Sequence, residues 1–147
     1  MDTVVYIAKA EDREKVKKFT EKAGVSLPES TDNIQFLLLM DKSNALIGVI
    51  GIDLINREAV LRSLVIDGSK CKTDDIIYFL NTALAYATKK KATKVYFATP
   101  VGSALFAPLG FEEVAFSNLP EYLQRDWEQT YTNYQQRMMF LFKELCT

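Results

Sequence analysis

The sequence predicts an α/β (α+β) fold: a single domain over residues 1–147, with a mixed, mostly antiparallel sheet and helices on both of its faces. Three observations predict it. A chain of 147 residues with 48% hydrophobic and 25% charged side chains is long enough and apolar enough for one ordinary core, and it carries no internal repeat, low-complexity stretch or linker. Three strand-like runs follow one another across short turns, which marks an antiparallel meander. A long helix-periodic segment then leads straight into another strand, a crossover that lays a helix on the sheet and mixes its pairing.

Each element has its own local signal. Residues 4–8 read as a first strand. Asp12 is placed to cap a helix running to about Ala23, with Val16, Phe19 and Ala23 on one face and Lys15, Lys17, Lys18 and Lys22 around the rest. Gly24 suits its stop. Residues 28–33 read as loop, with room for one helical turn. Residues 35–40, 46–54 and 59–66 are the three meander strands, separated by turn sequences at 41–44 and 55–58. Residues 73–90 are the clearest helix, since Ile76, Phe79, Leu80, Ala83, Leu84 and Ala87 keep a single face apolar. The lysines at 89–91 follow it, where the helix dipole favours cations. Residues 94–98 form the next strand, 102–109 a short helix ended by Gly110, 111–116 a strand, and 119–130 a helix. Residues 138–145 read as a final strand, although periodicity alone also admits a helix there.

Composition removes several function classes. With a net charge of −1 and a pI of about 5.5, nucleic acid is not an expected partner. The absence of histidine excludes Ser–His and Cys–His nucleophile pairs, histidine bases and histidine-ligated zinc. The two cysteines, Cys71 and Cys146, are too few for a disulfide framework or a four-cysteine metal site. Nothing at the N-terminus resembles a secretory signal, and no apolar run approaches the ~20 residues of a membrane span. The expectation is a cytoplasmic protein with no membrane partner.

Three strings carry a family resemblance. They are Leu61-Arg62-Ser63-Leu64-Val65-Ile66-Asp67, the long helix followed by Lys94-Val95-Tyr96-Phe97-Ala98, and Ser103-Ala104-Leu105-Phe106-Ala107-Pro108-Leu109-Gly110-Phe111. In this order they resemble the fourth strand, the following helix and strand, and the Leu-Gly-Phe corner of the GNAT superfamily of N-acetyltransferases. The resemblance implies a GNAT-like acyl-CoA N-acyltransferase fold and an N-acetyltransferase that moves an acyl group from acetyl-CoA to an amine of a small molecule or peptide. It further implies that the backbone of Leu64, Val65 and Ile66 pairs with the pantetheine arm. The turn of Ser69, Lys70, Cys71, Lys72 and Thr73 would meet the pyrophosphate, as anions are met at helix N-termini, and Phe106 would stand near the thioester.

The same alignment shows departures. The family's turn usually reads Arg or Gln, two residues, Gly, one residue, then Gly or Ala. Here Cys71 stands at the Arg or Gln position, and Asp74 and Ile76 stand at the two small-residue positions. Asp74 and Asp75 place two carboxylates in the first helical turn, where they would oppose a pyrophosphate. Two readings of the turn stay open: Thr73 is an N-cap with an acidic first turn, or Ser69, Lys70 and Lys72 hold the phosphates in a rearranged turn. The family's thiolate-protonating tyrosine is Phe106 here, its frequent asparagine is Pro100, and a glutamate base used by some members is Val60. The acids left nearby as catalytic candidates are Asp53 and Glu58, each of which also reads as a solvated strand-end or turn residue.

Other features admit two readings as well. Gly48 and Gly51 mark a bulge or close packing. Cys71 is either an inert loop thiol or one activated by Lys70, Lys72 and the helix start. Tyr122, Trp127, Tyr131 and Tyr134 either pack over the sheet or line a cleft or partner surface. An inactive GNAT-fold module that binds a ligand or a protein is the alternative function, and a homodimer built on the aromatic C-terminal third is a further expectation.

Overall fold

In the computed structural model the described residues are 3–25, 27, 33–99, 105–131 and 138–145, the side chains of 129–131 excepted. The elements run β1 (Val4–Ile7), α1 (Arg13–Lys22), β2 (Ile34–Met40), β3 (Leu46–Ile55), β4 (Glu58–Ile66), α2 (Thr73–Lys89), β5 (Lys94–Thr99), β6 (Glu112–Glu113), α3 (Glu121–Tyr131) and β7 (Met139–Glu144). The strands form one seven-stranded sheet in the order β1-β2-β3-β4-β5-β7-β6. The β4–β5 pair is parallel and the other five pairs are antiparallel. The mixed, mostly antiparallel sheet expected from the meander and the crossover is present.

Alternation along the strands sorts three apolar clusters onto two faces. Leu37, Leu39, Ala59, Leu61, Val95 and Phe97 point to one face, where α2 covers them with Phe79, Leu80, Ala83, Leu84 and Ala87. The intervening residues point to the other. There Leu38, Met40 and Val49 pack on Val16 of α1. Val60 and Tyr96 pack on Leu123 and Trp127 of α3. Helices therefore lie on both faces.

The meander turns are built by asparagines that tolerate a left-handed backbone, Asn44 (φ 66°) and Asn56 (φ 58°). Between β3 and β4 the register slips, with Val49 opposite Val65 but Gly51 opposite Arg62. The extra residue lies in β4 at Ser63–Leu64, and Ser63 takes φ 54°. A bulge of this kind bends the strand and strengthens its twist. Gly51 also serves close packing: a Cβ there would meet Ile34 Cγ2 at 2.8 Å and Phe36 Cε1 at 3.1 Å.

Several local expectations are corrected. The Asp12 carboxylate does not cap α1. It turns back to accept the Lys9 N–H at 2.8 Å and so closes a 3-10 turn over Ala10–Asp12. Thr73 is the first helical residue of α2 rather than its N-cap, and the N–H of the capping position, Lys72, is taken by Asp75 Oδ2 at 2.9 Å. The helix expected at 102–109 is, among the described residues, a 3-10 turn over Ala107–Leu109 closed by left-handed Gly110. Residues 102–104 lie outside the described residues, as do 28–32 of the expected loop. The strand expected at 111–116 shortens to Glu112–Glu113, because Phe116–Asn118 winds into a 3-10 turn ahead of α3.

Candidate functional site

The sheet opens between β4 and β5. Their pairing covers Glu58–Leu61 against Lys94–Phe97 and goes no farther, although β4 runs on to Ile66 and β5 to Thr99. On its other side β4 stays on β3 as far as Ile66 opposite Gly48. The bulge at Ser63–Leu64 falls just past the last β4–β5 pair, so the bend it introduces sits where the two strands part. Among the described residues, Leu64, Val65 and Ile66 thus have no strand partner on the β5 side, which is the backbone condition for pairing with an extended ligand.

The turn after β4 has a different character. Its backbone N–H groups at residues 69–72 are all engaged within the chain. Ser69 donates from its N–H (3.1 Å) and its Oγ (2.6 Å) to Asp67 Oδ1. Lys70 and Cys71 N–H donate to the Asp67 carbonyl at 3.0 and 3.1 Å. Lys72 N–H donates to Asp75 Oδ2 at 2.9 Å. The Ser69 hydrogen bonds hold the Asp67 carboxyl below the usual carboxylate range, so it is ionised at neutral pH. A pyrophosphate needs free N–H donors and closely approachable backbone. The donors at 69–72 are taken, and after Gly68 the turn has no glycine, so these four amides as folded do not meet that group.

Cys71 is half-buried, with Sγ 3.6 Å from the Ile47 carbonyl. Burial, reinforced by the Asp75 and Asp67 carboxylates, pushes its thiol up to about 11. The neighbouring lysines do not activate it. Phe106 is 2% exposed and packs edge-on against Phe97 and Phe111, with ring centroids 5.3 and 6.3 Å away. It is a core ring and offers almost no surface to a ligand.

Asp53 and Glu58 both lie on the α3 face, and both are paired. Asp53 accepts from Arg62 Nε at 3.0 Å, and Arg62 Nη1 reaches Asp126 of α3 at 2.8 Å. Glu58 Oε1 accepts from the Tyr122 hydroxyl at 2.7 Å. Burial, and then Glu58, raises the Tyr122 pKa well above its ordinary value, so the phenol stays protonated. Burial and Glu58 likewise raise Tyr96. Trp127 is buried and stacks on Phe140 at 5.5 Å. Tyr134 and the Tyr131 side chain lie outside the described residues, as do Pro100 and Cys146.

The sequence alone assigns no role to Arg62, Asp126 or Asp67. An arginine inside an apolar strand is itself a signal, since a charge there needs partners. An aspartate two residues before a serine is a turn signature of the kind Asp67 builds. A cleft of about 180 Å3 opens beside the start of α1, lined among others by Lys9, Arg13, Leu27, Gln35 and Phe36. It touches neither the turn nor Asp53 and Glu58. Among the described residues no group of three acidic or cysteine side chains is placed to hold a metal, and no helix is long and apolar enough to cross a membrane.

No protein-family model matches this sequence, and neither does any curated protein sequence. Solved structures do match in shape. N-acetylglutamate synthase from Neisseria gonorrhoeae, complexed with coenzyme A and N-acetyl-glutamate, superposes with a TM-score of 0.79 at 16% identity over 99% of this chain. This chain spans 35% of the length of that synthase. Rv2747 from Mycobacterium tuberculosis, in complex with CoA, gives 0.78 at 14% identity over 97% of this chain and 99% of its own. A GNAT-family acetyltransferase from Staphylococcus aureus gives 0.73 at 13% identity over 98% and 99%. By these likenesses the chain has the fold of the GNAT-family acetyltransferases.

Proposed function

We propose that this chain is an N-acyltransferase that passes an acyl group from acetyl-CoA, or another acyl thioester of pantetheine, to an amine of a small molecule or peptide. The observation that supports it is that β4 and β5 stop pairing after Leu61, which among the described residues leaves Leu64, Val65 and Ile66 without a partner on that edge. The donor supplies an electrophilic thioester. The chain's part is to align the pantetheine arm on that edge and to offer strand N–H groups to a developing oxyanion. The solved likenesses named with coenzyme A agree with this donor class. Asp53 and Glu58 act in this reading through Arg62 and Tyr122, by shaping the face beside the opening, rather than as free bases.

One observation favours a second reading. The amides at 69–72 are satisfied internally and the nearby acids are paired, as in a GNAT-fold module that binds a ligand or protein without catalysis. An assay separates the two. The protein is incubated with acetyl-CoA or S-acetylpantetheine and a panel of mono-, di- and polyamines and peptides. Thiol release is followed with a thiol-reactive dye, and acetylated amine is read by mass spectrometry. Amine-dependent thiol release above the protein-free rate is expected. Release no faster than that control with every amine overturns the enzyme reading in favour of the binding module.

A further inference from the structure

We infer that this chain recognises its acyl donor by the acyl-pantetheine end and not by the pyrophosphate, because two of its own carboxylates, Asp67 and Asp75, close the turn that would meet the phosphates. The inference deepens the acyltransferase reading and rests on it. Asp67 uses both its ends: its side chain takes the Ser69 N–H and hydroxyl, and its carbonyl takes the Lys70 and Cys71 N–H groups. Asp75 takes the Lys72 N–H with one oxygen, while the other receives the Thr3 hydroxyl at 3.4 Å, so the start of the chain helps to fix it. Asp67 N–H is tied in turn to the Ile47 carbonyl of β3 at 2.9 Å, which anchors the whole turn to the sheet. A phosphate entering here must compete with carboxylate acceptors at the Ser69 and Lys72 N–H groups and with the Asp67 carbonyl at Lys70 and Cys71, and must then lie beside the displaced carboxylates. Lys70 and Lys72 are still exposed around the turn, but exposed charges attract only weakly at physiological salt. The β4 edge at residues 64–66, by contrast, has no strand partner on the β5 side among the described residues.

Occupied amides and plain charge repulsion make different demands on Asp74. It is exposed and carries the same charge one residue away from Asp75. If repulsion alone excluded the phosphates, removing Asp74 would help as much as removing Asp75. If occupancy does so, only Asp67 and Asp75 matter.

The test is titration of the full chain with acetyl-CoA and with S-acetylpantetheine at physiological salt, calorimetry giving both dissociation constants. Wild type and Asp74→Ala are expected to bind the two donors within about threefold of each other, since the turn adds nothing. Asp67→Ala with Asp75→Ala is expected to tighten acetyl-CoA about tenfold and leave S-acetylpantetheine unchanged, because the Ser69 and Lys72 N–H groups it frees beside the helix start attract the phosphates. Asp75→Ala alone, which leaves the Asp67 turn intact, is expected to give part of that gain, and circular dichroism confirms that each variant is folded. A wild type that prefers acetyl-CoA at least tenfold, with the preference unchanged in the folded variants, overturns the inference and leaves the function standing. A gain from Asp74→Ala equal to that from Asp75→Ala overturns it as well. Binding of neither donor to any of the proteins overturns the function and the inference together.

Discussion

At the residue scale the chemistry turns on which polar atoms are already engaged. Phe106 stands where the GNAT resemblance implies a tyrosine, yet its ring is buried between Phe97 and Phe111. Phe106→Tyr therefore adds a hydroxyl to a core site rather than restoring a proton donor. It is expected to cost about 1–3 kcal/mol in the denaturation midpoint, as an unpaired buried hydroxyl does, and to leave any acyl-transfer rate no higher. Cys71 behaves in the opposite sense to an activated thiol. With its thiol pushed up to about 11, roughly one molecule in a thousand is thiolate at pH 8, against about one in ten at the reference value of 9.0. In a Cys146→Ser background, alkylation at pH 8 is expected to be about a hundredfold slower than for a free thiol of pKa 9.0, and to go on rising tenfold per pH unit up to about pH 11. The sign follows for stability: a thiol held neutral in the fold contributes fully below pH 9, and that contribution is lost as pH rises toward 11. Rapid alkylation that levels off near pH 9 would contradict the burial of Cys71.

At the scale of elements, α2 shows local and tertiary signals in agreement. Its apolar spacing lays Phe79, Leu80, Ala83, Leu84 and Ala87 on the sheet, all buried. Phe79 is fully buried and reaches the floor of the sheet, where a Cβ on Gly48 would meet its ring at 3.3 Å. Phe79→Ala is expected to destabilise the fold by about 3–5 kcal/mol in chemical denaturation, with the slope of the transition little changed. A midpoint within error of wild type would remove α2 from the core. The end elements follow a weaker pattern. The stretch at 111–116 is apolar enough for a strand, but the ladder on β7 holds Glu112 and Glu113, with the Val114 N–H donating once more to the Phe140 carbonyl, and the chain then winds toward Pro120 and α3.

At the scale of the whole molecule, Arg62 ties three elements together, joining Asp53 of β3 to Asp126 of α3 across β4. Its side chain and that of Asp53 are 18% and 16% exposed, while Asp126 is 41% exposed. Removing the arginine strands a partly buried carboxylate, whereas removing Asp126 leaves Asp53 and Arg62 paired. Arg62→Ala is expected to cost about 1–3 kcal/mol and Asp126→Ala under about 1 kcal/mol, both from thermal or chemical unfolding. Equal losses would mean that the pair to Asp53 is not the stronger one.

The sequence by itself determined the meander, the long helix and the following strand. Each of these rests on apolar periodicity and turn residues that act over a few positions, and so is written locally in runs such as Gln35 to Met40 and Ile76 to Ala87. It also marked Gly48 and Gly51 as places of a bulge or close packing and Asp75 as an acid in the first helical turn. Only the tertiary structure decided the rest. Serine has no local preference for the left-handed backbone of Ser63, so the bulge is imposed by the register of β3 against β4. The roles of Asp53, Glu58 and Phe106 depend on partners at Arg62, Tyr122 and Phe97, which are 9, 64 and 9 positions away along the chain. The parting of β4 and β5 is likewise a matter of how two strands separated by a helix come together. A side chain's charge and shape are local, but whether it is free to act is set by what the fold places beside it.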